Sequence, residues 1–394
     1  MRNYTFIALM VLLLLSNSAA ALAGPAPQAA GCLEEAIVQA DDWLSKLAEK
    51  YYGDLLAFPA IVNATNQKHT EDSSFARIDD PDLIEPGWKL CIASPADAVA
   101  LLAGQTSGSG AQKTVYPLTL TDGLGREVTI TAPPQRIVSL LPSNTEILFA
   151  LDLAGRVVGV TQYDLYPAEA QEKTVIGGMT IESISLETVL ALEPDLVLAH
   201  DDHQQPIIDA LTDNGLTVFA VNSTGLADVY RAIDWVGQIA DVQLQAEALN
   251  RQIRADIAAI TAGIEQIPPD QRPTVFYEVW AEPLMTAGPT TFIGEIITLA
   301  GGRNIFADVT QDFPEISPEE VIARNPAVIL SSQFNTKNLT PEALANRPGW
   351  SEIDAVKNGN IHFLNDDLIS RPGPRLALGL QEVVNALYPN LAKE

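Results

Sequence analysis

Short apolar runs of strand length alternate with stretches of helical period along most of the chain. Arg136–Leu141, Val157–Thr161, Asp195–His200 and Thr217–Asn222 are rich in Val, Ile, Leu and Thr, as strands are. Between them, Thr145–Asp152, Leu186–Leu192 and Pro206–Asn214 space their apolar residues three and four apart, as one face of a helix does. This alternation predicts an α/β fold, with parallel sheets carrying helices on both faces. Val115–Ile130 reads differently: Asp122-Gly123 and Gly125 supply a turn between two short strands, which predicts a β-hairpin.

One unit of this pattern occurs twice. Ser185–His200 aligns without a gap with Ser317–Ser332, with Ser185/Ser317, Glu187/Glu319, Val189/Val321, Ala191/Ala323, Pro194/Pro326 and Leu198/Leu330 identical. Each copy reads as a serine N-cap, a two-turn helix, a proline-marked exit and a buried strand. A repeated helix–strand unit predicts two related Rossmann-like lobes rather than one large sheet. Val242–Gln266 is helical in period and ends at Pro268-Pro269, which predicts a stiff connecting helix. The expected organisation is therefore an N-terminal lobe over 115–240, a connecting helix over 241–268 and a C-terminal lobe over 269–394.

The first part of the chain has other features. Arg2, the uncharged run Phe6–Leu15 and Ala21-Leu22-Ala23 read as a secretory signal over 1–23, its apolar run too short to span a bilayer. The expected location is the periplasm or cell envelope, either soluble or tethered at the N-terminus. Residues 32–95 read strand, helix, helix, strand, with helices from Trp43 and over Ala57–Asn66 and a closing strand Leu90–Ala93. Residues 96–114, with Gly104–Lys113 rich in Gly and Ser, read as a flexible linker. Cys32 and Cys91 are the two cysteines. They allow either a lipid-modified Cys32 after Ala30-Gly31 or a disulfide that leaves no thiol over.

Charge and motifs narrow the function. A net charge of -27 over 394 residues repels phosphate backbones, so no nucleic-acid partner is expected. Neither a strand–G-x-S-x-G–helix nor an H-E-x-x-H pattern occurs, and no cysteine is spare for a Cys–His pair. No catalytic residue is assigned, and the chain is read as a non-enzyme without a cofactor. The alternative from another class is a cell-wall enzyme. His200 and His203 could ligate a metal, but with four histidines in the chain and no second ligand cluster they read as polar loop contacts.

In parallel α/β sheets ligands bind beyond the carboxyl ends of the strands. That rule nominates Tyr163 and Tyr166, then His200, in the first lobe, and Trp280 and Asp367 in the second. Ser143 and Glu146 read as a capping box that aims a helix N-terminus at the same cleft. These loops are aromatic and polar with few cations, which suits a large, flat, roughly neutral ligand. The repeat also places Glu187 and Glu319 in the first turns of helices leading into parallel strands. Both carboxylates are therefore expected on the cleft-side rim, one per lobe, as docking contacts for a partner built from two like subunits.

Ala40–Ala48 and Asp82–Leu90 resemble a LysM module, the small βααβ domain that binds N-acetylglucosamine polymers. The resemblance implies paired strands that bring Cys32 and Cys91 together, and peptidoglycan as a partner. The polar insert Gln67–Arg77 departs from that pattern. From Val115 onward, Asp122–Val128, Arg136–Glu146, Leu299–Phe306 and Ser370–Arg375 resemble type III periplasmic binding proteins of ABC importers. Within that superfamily the chain is most similar to the cobalamin-binding branch. The resemblance implies a corrinoid ligand contacted by Tyr163, Tyr166, Phe313 and Asp367, permease subunits as partners, and limited hinge motion. Haem and ferric-siderophore binders share the scaffold, and no tryptophan stands at Gly177–Ile181 where the cobalamin branch can carry one.

Overall fold

The computed structural model describes residues 32–39, 42, 44–53, 57–78, 84–108, 113–180, 182–200, 202–264, 266–332 and 340–390. The signal sequence, Asp41, Trp43, Asp82, Leu83 and Asp201 lie outside them. The chain divides into two units, Met1–Gly110 and Ala111–Glu394.

In the first unit, strand β1 (Cys32–Ile37) is followed by helices α1 (Leu44–Tyr52) and α2 (Phe58–Glu71) and strand β2 (Lys89–Ala93). β1 and β2 pair antiparallel, and Ala36, Leu44, Leu47, Ile61, Leu90 and Ile92 form the buried core beneath the helices. A disulfide joins Cys32 to Cys91 with the Cα atoms 5.2 Å apart. Beside it, buried Thr65 accepts from the Cys91 amide at 3.0 Å, tying α2 to the cross-linked strand. α2 runs past Asn66 because Gln67–Glu71 contains no helix breaker, and a Lys68–Glu71 ion pair of 2.9 Å closes its last turn. The segment expected as a flexible linker is instead helical as far as Gly108, in α3 (Pro95–Gly108). Ser94 accepts from the Asp97 amide and donates to its carboxylate, a start signal that the later Gly/Ser composition obscures.

The second unit opens with the hairpin β3 (Leu118–Thr121) and β4 (Glu127–Ile130). Buried Asp122 accepts from the amides of Leu124, Arg126 and Ala220, and from the Arg126 guanidinium, so one carboxylate pins the turn to the first sheet. Gly123 lies against Asn222, and a Cβ added there would stand 2.5 Å from the Asn222 amide nitrogen.

The first lobe follows as β5 (Ile137–Ser139), α4 (Pro142–Ala150), β6 (Val157–Val160), β7 (Thr174–Val175), α5 (Leu186–Ala191), β8 (Leu196–Ala199), α6 (Gln205–Asp213), β9 (Val218–Ala220) and α7 (Leu226–Ala240). Its strands are all parallel, in the order β7-β6-β5-β8-β9. Val138, Leu140, Val197, Ala199, Ile208 and Leu211 fill the space between sheet and helices. Helix α8 (Gln243–Thr261) then packs against α7, where Asn250 bonds Asp234 at 2.8 Å and Arg254 lies over the Tyr230 ring.

The second lobe contains β10 (Thr274–Ala281), β11 (Leu284–Thr286), α9 (Phe292–Leu299), β12 (Arg303–Asn304), α10 (Pro318–Arg324), β13 (Val328–Ser332), α11 (Pro341–Ala345), α12 (Asp354–Asn358), β14 (Ile361–Leu364), α13 (Asp366–Ile369) and α14 (Leu376–Leu387). The path is β11-β10-β13-β14, with β10, β13 and β14 parallel. The sequence repeat thus occupies the same place in each sheet: α5–β8 beside β5, and α10–β13 beside β10. Even an uncommon backbone feature recurs, since Glu193 and Asn325 precede their prolines with φ of 45° and 42°. α8 touches α14 as well as α7, so the connecting helix is in contact with both lobes.

Candidate functional site

The carboxyl ends of β5, β6, β8 and β9 lead into the loops of the first lobe, where polar side chains stitch the loops together. Gln204, which the sequence pattern did not single out, is buried. Its Oε1 accepts from the His200 amide at 2.8 Å, and its Nε2 donates to Leu140 O and Met179 O at 3.1 Å each. His200 Nδ1 stands 2.9 Å from Val221 O, so its ring spans the ends of β8 and β9. Asp164 is buried, accepting from the amide and hydroxyl of Thr161. Burial raises its carboxyl from the ordinary value, against these hydrogen bonds.

The expected capping box at the start of α4 does not form. The helix begins two residues earlier, at Pro142 after Leu141, with no side-chain cap. Glu146 is turned instead toward the second lobe. Arg375 donates to it through Nε at 2.7 Å and Nη2 at 2.6 Å, a two-pronged contact across the lobes. The Arg375 guanidinium also lies 4.0 Å from the centroid of the Tyr166 ring. Arg371 pairs with Asp367 at 2.7 Å and stands 3.9 Å from Glu146. Burial raises the Glu146 carboxyl from its ordinary value, and Arg375 and Arg371 oppose the rise. Two carboxylates and two guanidiniums therefore form a charge-balanced cluster.

These contacts bring together two of the six nominated ligand residues, Tyr166 and Asp367. Tyr163 and His200 stand on the loops of the first lobe; in the second, Phe313 stands on a loop and Trp280 near the end of β10. Tyr163, Tyr166, Trp280 and Phe313 are 43%, 46%, 46% and 48% exposed, high for large aromatics that lie next to sheet ends. Trp280 lies within β10 rather than after it, because the strand continues to Ala281 to pair with β11; its Nε1 donates to Glu282 O at 2.9 Å. The loop carrying Phe313 is held by Gly288 N to Asp312 O at 2.7 Å and Thr286 N to Pro314 O at 3.2 Å. Asp367 sits in the first turn of α13, capped by Asn365.

Glu187 and Glu319 are exposed in the first turns of α5 and α10. Ser185 caps the first helix through the Thr188 amide, and Ser317 forms a full capping box with Glu320. The helix N-termini are thus satisfied by other side chains, and neither Glu187 nor Glu319 serves as the cap.

The residues missed as a set are Glu146, Arg371 and Arg375. The available signal was one acid in an early motif and two arginines in the last one.

The sequence model for periplasmic binding proteins matches residues 137–368. The chain belongs to this family. Among its relatives, an uncharacterised ABC transporter substrate-binding lipoprotein of Bacillus subtilis is 36% identical, over 75% of this chain and 96% of that protein. A cobalamin-binding protein of Halobacterium salinarum is 30% identical, over 76% of this chain and 82% of that one. A periplasmic heme-binding protein of Roseiflexus superposes with a TM-score of 0.59 at 29% identity, covering 65% of this chain and 98% of the other. These alignments and the shared fold are those of type III periplasmic binding proteins. Among the described residues no helix is long and apolar enough to cross a membrane.

Proposed function

We propose that this binding protein captures a corrinoid of the cobalamin type between its two lobes and delivers it to the permease of an ABC importer. The observation that carries the reading is the charge balance of the site. Arg371 and Arg375 are each paired with a carboxylate, Asp367 and Glu146, so neither offers an uncompensated cation to an acidic ligand. Half-exposed Tyr163, Tyr166, Trp280 and Phe313 supply apolar faces for a large flat ring system. A corrinoid ring edged with amides fits that lining, and the cobalamin-binding relative supports the same class. Exposed Glu187 and Glu319, one on each lobe, suit basic residues on paired permease subunits. The βααβ order of the first unit supports a wall-glycan partner for that unit.

Haem is the second reading, favoured by the heme-binding structural neighbour and by the exposed Tyr163 phenol, a type of side chain that ligates haem iron. Against it, haem propionates call for cations that are already paired here. Calorimetric titration of the full chain with cyanocobalamin, haemin and a ferric siderophore separates the readings. Micromolar or tighter binding of the corrinoid is expected. Binding of haemin alone, abolished by Tyr163→Phe or His200→Ala, would replace the corrinoid with haem.

A further inference from the structure

Beside the interlobe cluster lies a cavity of about 400 Å³, within the size range of small-molecule sites. Tyr166 and Arg375 line it, so it is continuous with the residues of the proposed ligand site. Phe149, Pro167 and Pro374 give it flat apolar surfaces, and Ala150 and Ala154 leave room between them. Its charged groups are largely occupied. Both oxygens of Glu146 are held by Arg375. Glu169 is exposed at its edge. A largely apolar hollow whose one cation is already paired with Glu146, and which carries the further acid Glu169, takes an uncharged planar heterocycle rather than a carboxylate or phosphate.

A ligand whose ring system rests on Tyr166 can place only a side arm in this hollow. We infer that the cavity between Phe149, Pro167 and Pro374 receives the pendant heteroaromatic base of a complete corrinoid and selects it over corrinoids lacking that arm. This rests on the corrinoid reading above and adds the part of the ligand that the protein discriminates. Haem and other macrocycles without an arm leave the cavity unfilled.

The test uses the full chain, cyanocobalamin, which carries the base, and dicyanocobinamide, which lacks it. Ala150→Phe and Ala154→Leu each fill the cavity, and Ala150 is exposed, so the first is compatible with folding. The unaltered protein should prefer cyanocobalamin by roughly tenfold or more, and each variant should lose most of that preference while holding cobinamide as before. Equal affinity of the unaltered protein for the two corrinoids, or a preference for cyanocobalamin that survives both variants, would overturn the subsite and leave the corrinoid reading intact. Equal loss of both ligands in both variants would also overturn it. Failure to bind either corrinoid overturns the reading itself, and the subsite with it.

Discussion

Arg375 and Glu146 lie 229 positions apart in sequence and meet through two hydrogen bonds of 2.7 and 2.6 Å, so that the last motif of the chain grips the first helix of the opposite lobe. Glu146 is buried while Arg375 retains some exposure. Removing the arginine leaves a buried carboxylate without its main partner, which costs about 3 kcal/mol for a pair of this kind. Arg375→Met is therefore expected to lower stability by roughly that amount in urea denaturation. Glu146→Leu combined with Arg375→Met should recover most of the loss, because no charge is then stranded. A single-variant loss below about 1 kcal/mol would mean that water compensates Glu146.

A second contact between the lobes predicts a pH dependence. Glu295 accepts from the Leu226 amide at 2.5 Å, at the start of α7. Burial pushes its carboxyl up to about 7, and nearby Asp228 adds to the rise. The folded chain keeps this proton where the unfolded chain has released it. Its contribution to stability is therefore present below the ordinary carboxylate range and is lost as pH rises toward about 7. Glu295→Gln keeps an oxygen for the Leu226 amide and removes the charge. The variant should match the unaltered protein in melting temperature near about pH 4 and exceed it near about pH 8. The same difference at both pH values would contradict the assignment.

Reduction of the disulfide should act on the first unit alone. Cys32 and Cys91 are 59 positions apart, and a loop of that length is worth about 4 kcal/mol on the chain-entropy model. Cys32→Ser with Cys91→Ser should make amide exchange faster throughout β1, α2 and β2. Protection in β5, β8, β10 and β13 should be unchanged. Loss of protection in those parallel strands would show that the two units fold as one.

The exposed pair Glu187 and Glu319 gives a transport prediction. Glu187→Gln with Glu319→Gln should leave folding and ligand affinity nearly unchanged and weaken association with the permease, most at low salt. Transport at the unaltered rate in the double variant would remove the docking role.

The sequence was most legible where local pattern and burial agree. Ser185–His200 and Ser317–Ser332 share a cap, an apolar helix face and a buried strand, and both fold as read, in matching sheet positions. Ser143 and Glu146 carry the spacing of a capping box, but the acid is taken by a partner far along the chain that no local pattern reveals. Gly104–Lys113 has linker composition, yet the start signal at Ser94 and the alanines after it carry a helix to Gly108. Sheet polarity nominates Tyr163 and Tyr166, which do lie on a loop after β6, whereas Trp280 falls inside β10 and Phe313 is reached only through the family resemblance. The charge-balanced cluster was not legible, because it joins Glu146 near the start of the second unit to Asp367, Arg371 and Arg375 near its end.

The contacts of α8 with both α7 and α14 bear on how this protein could serve as a biosensor. A 19-residue helix is a rod of about 28 Å, and packed against both α7 and α14 it resists the wide swing that distance-based reporters require. Fluorophores placed on the two lobes to read their separation would give a small signal on ligand capture. A single environment-sensitive dye at an exposed cleft position such as Leu165 would give the larger one.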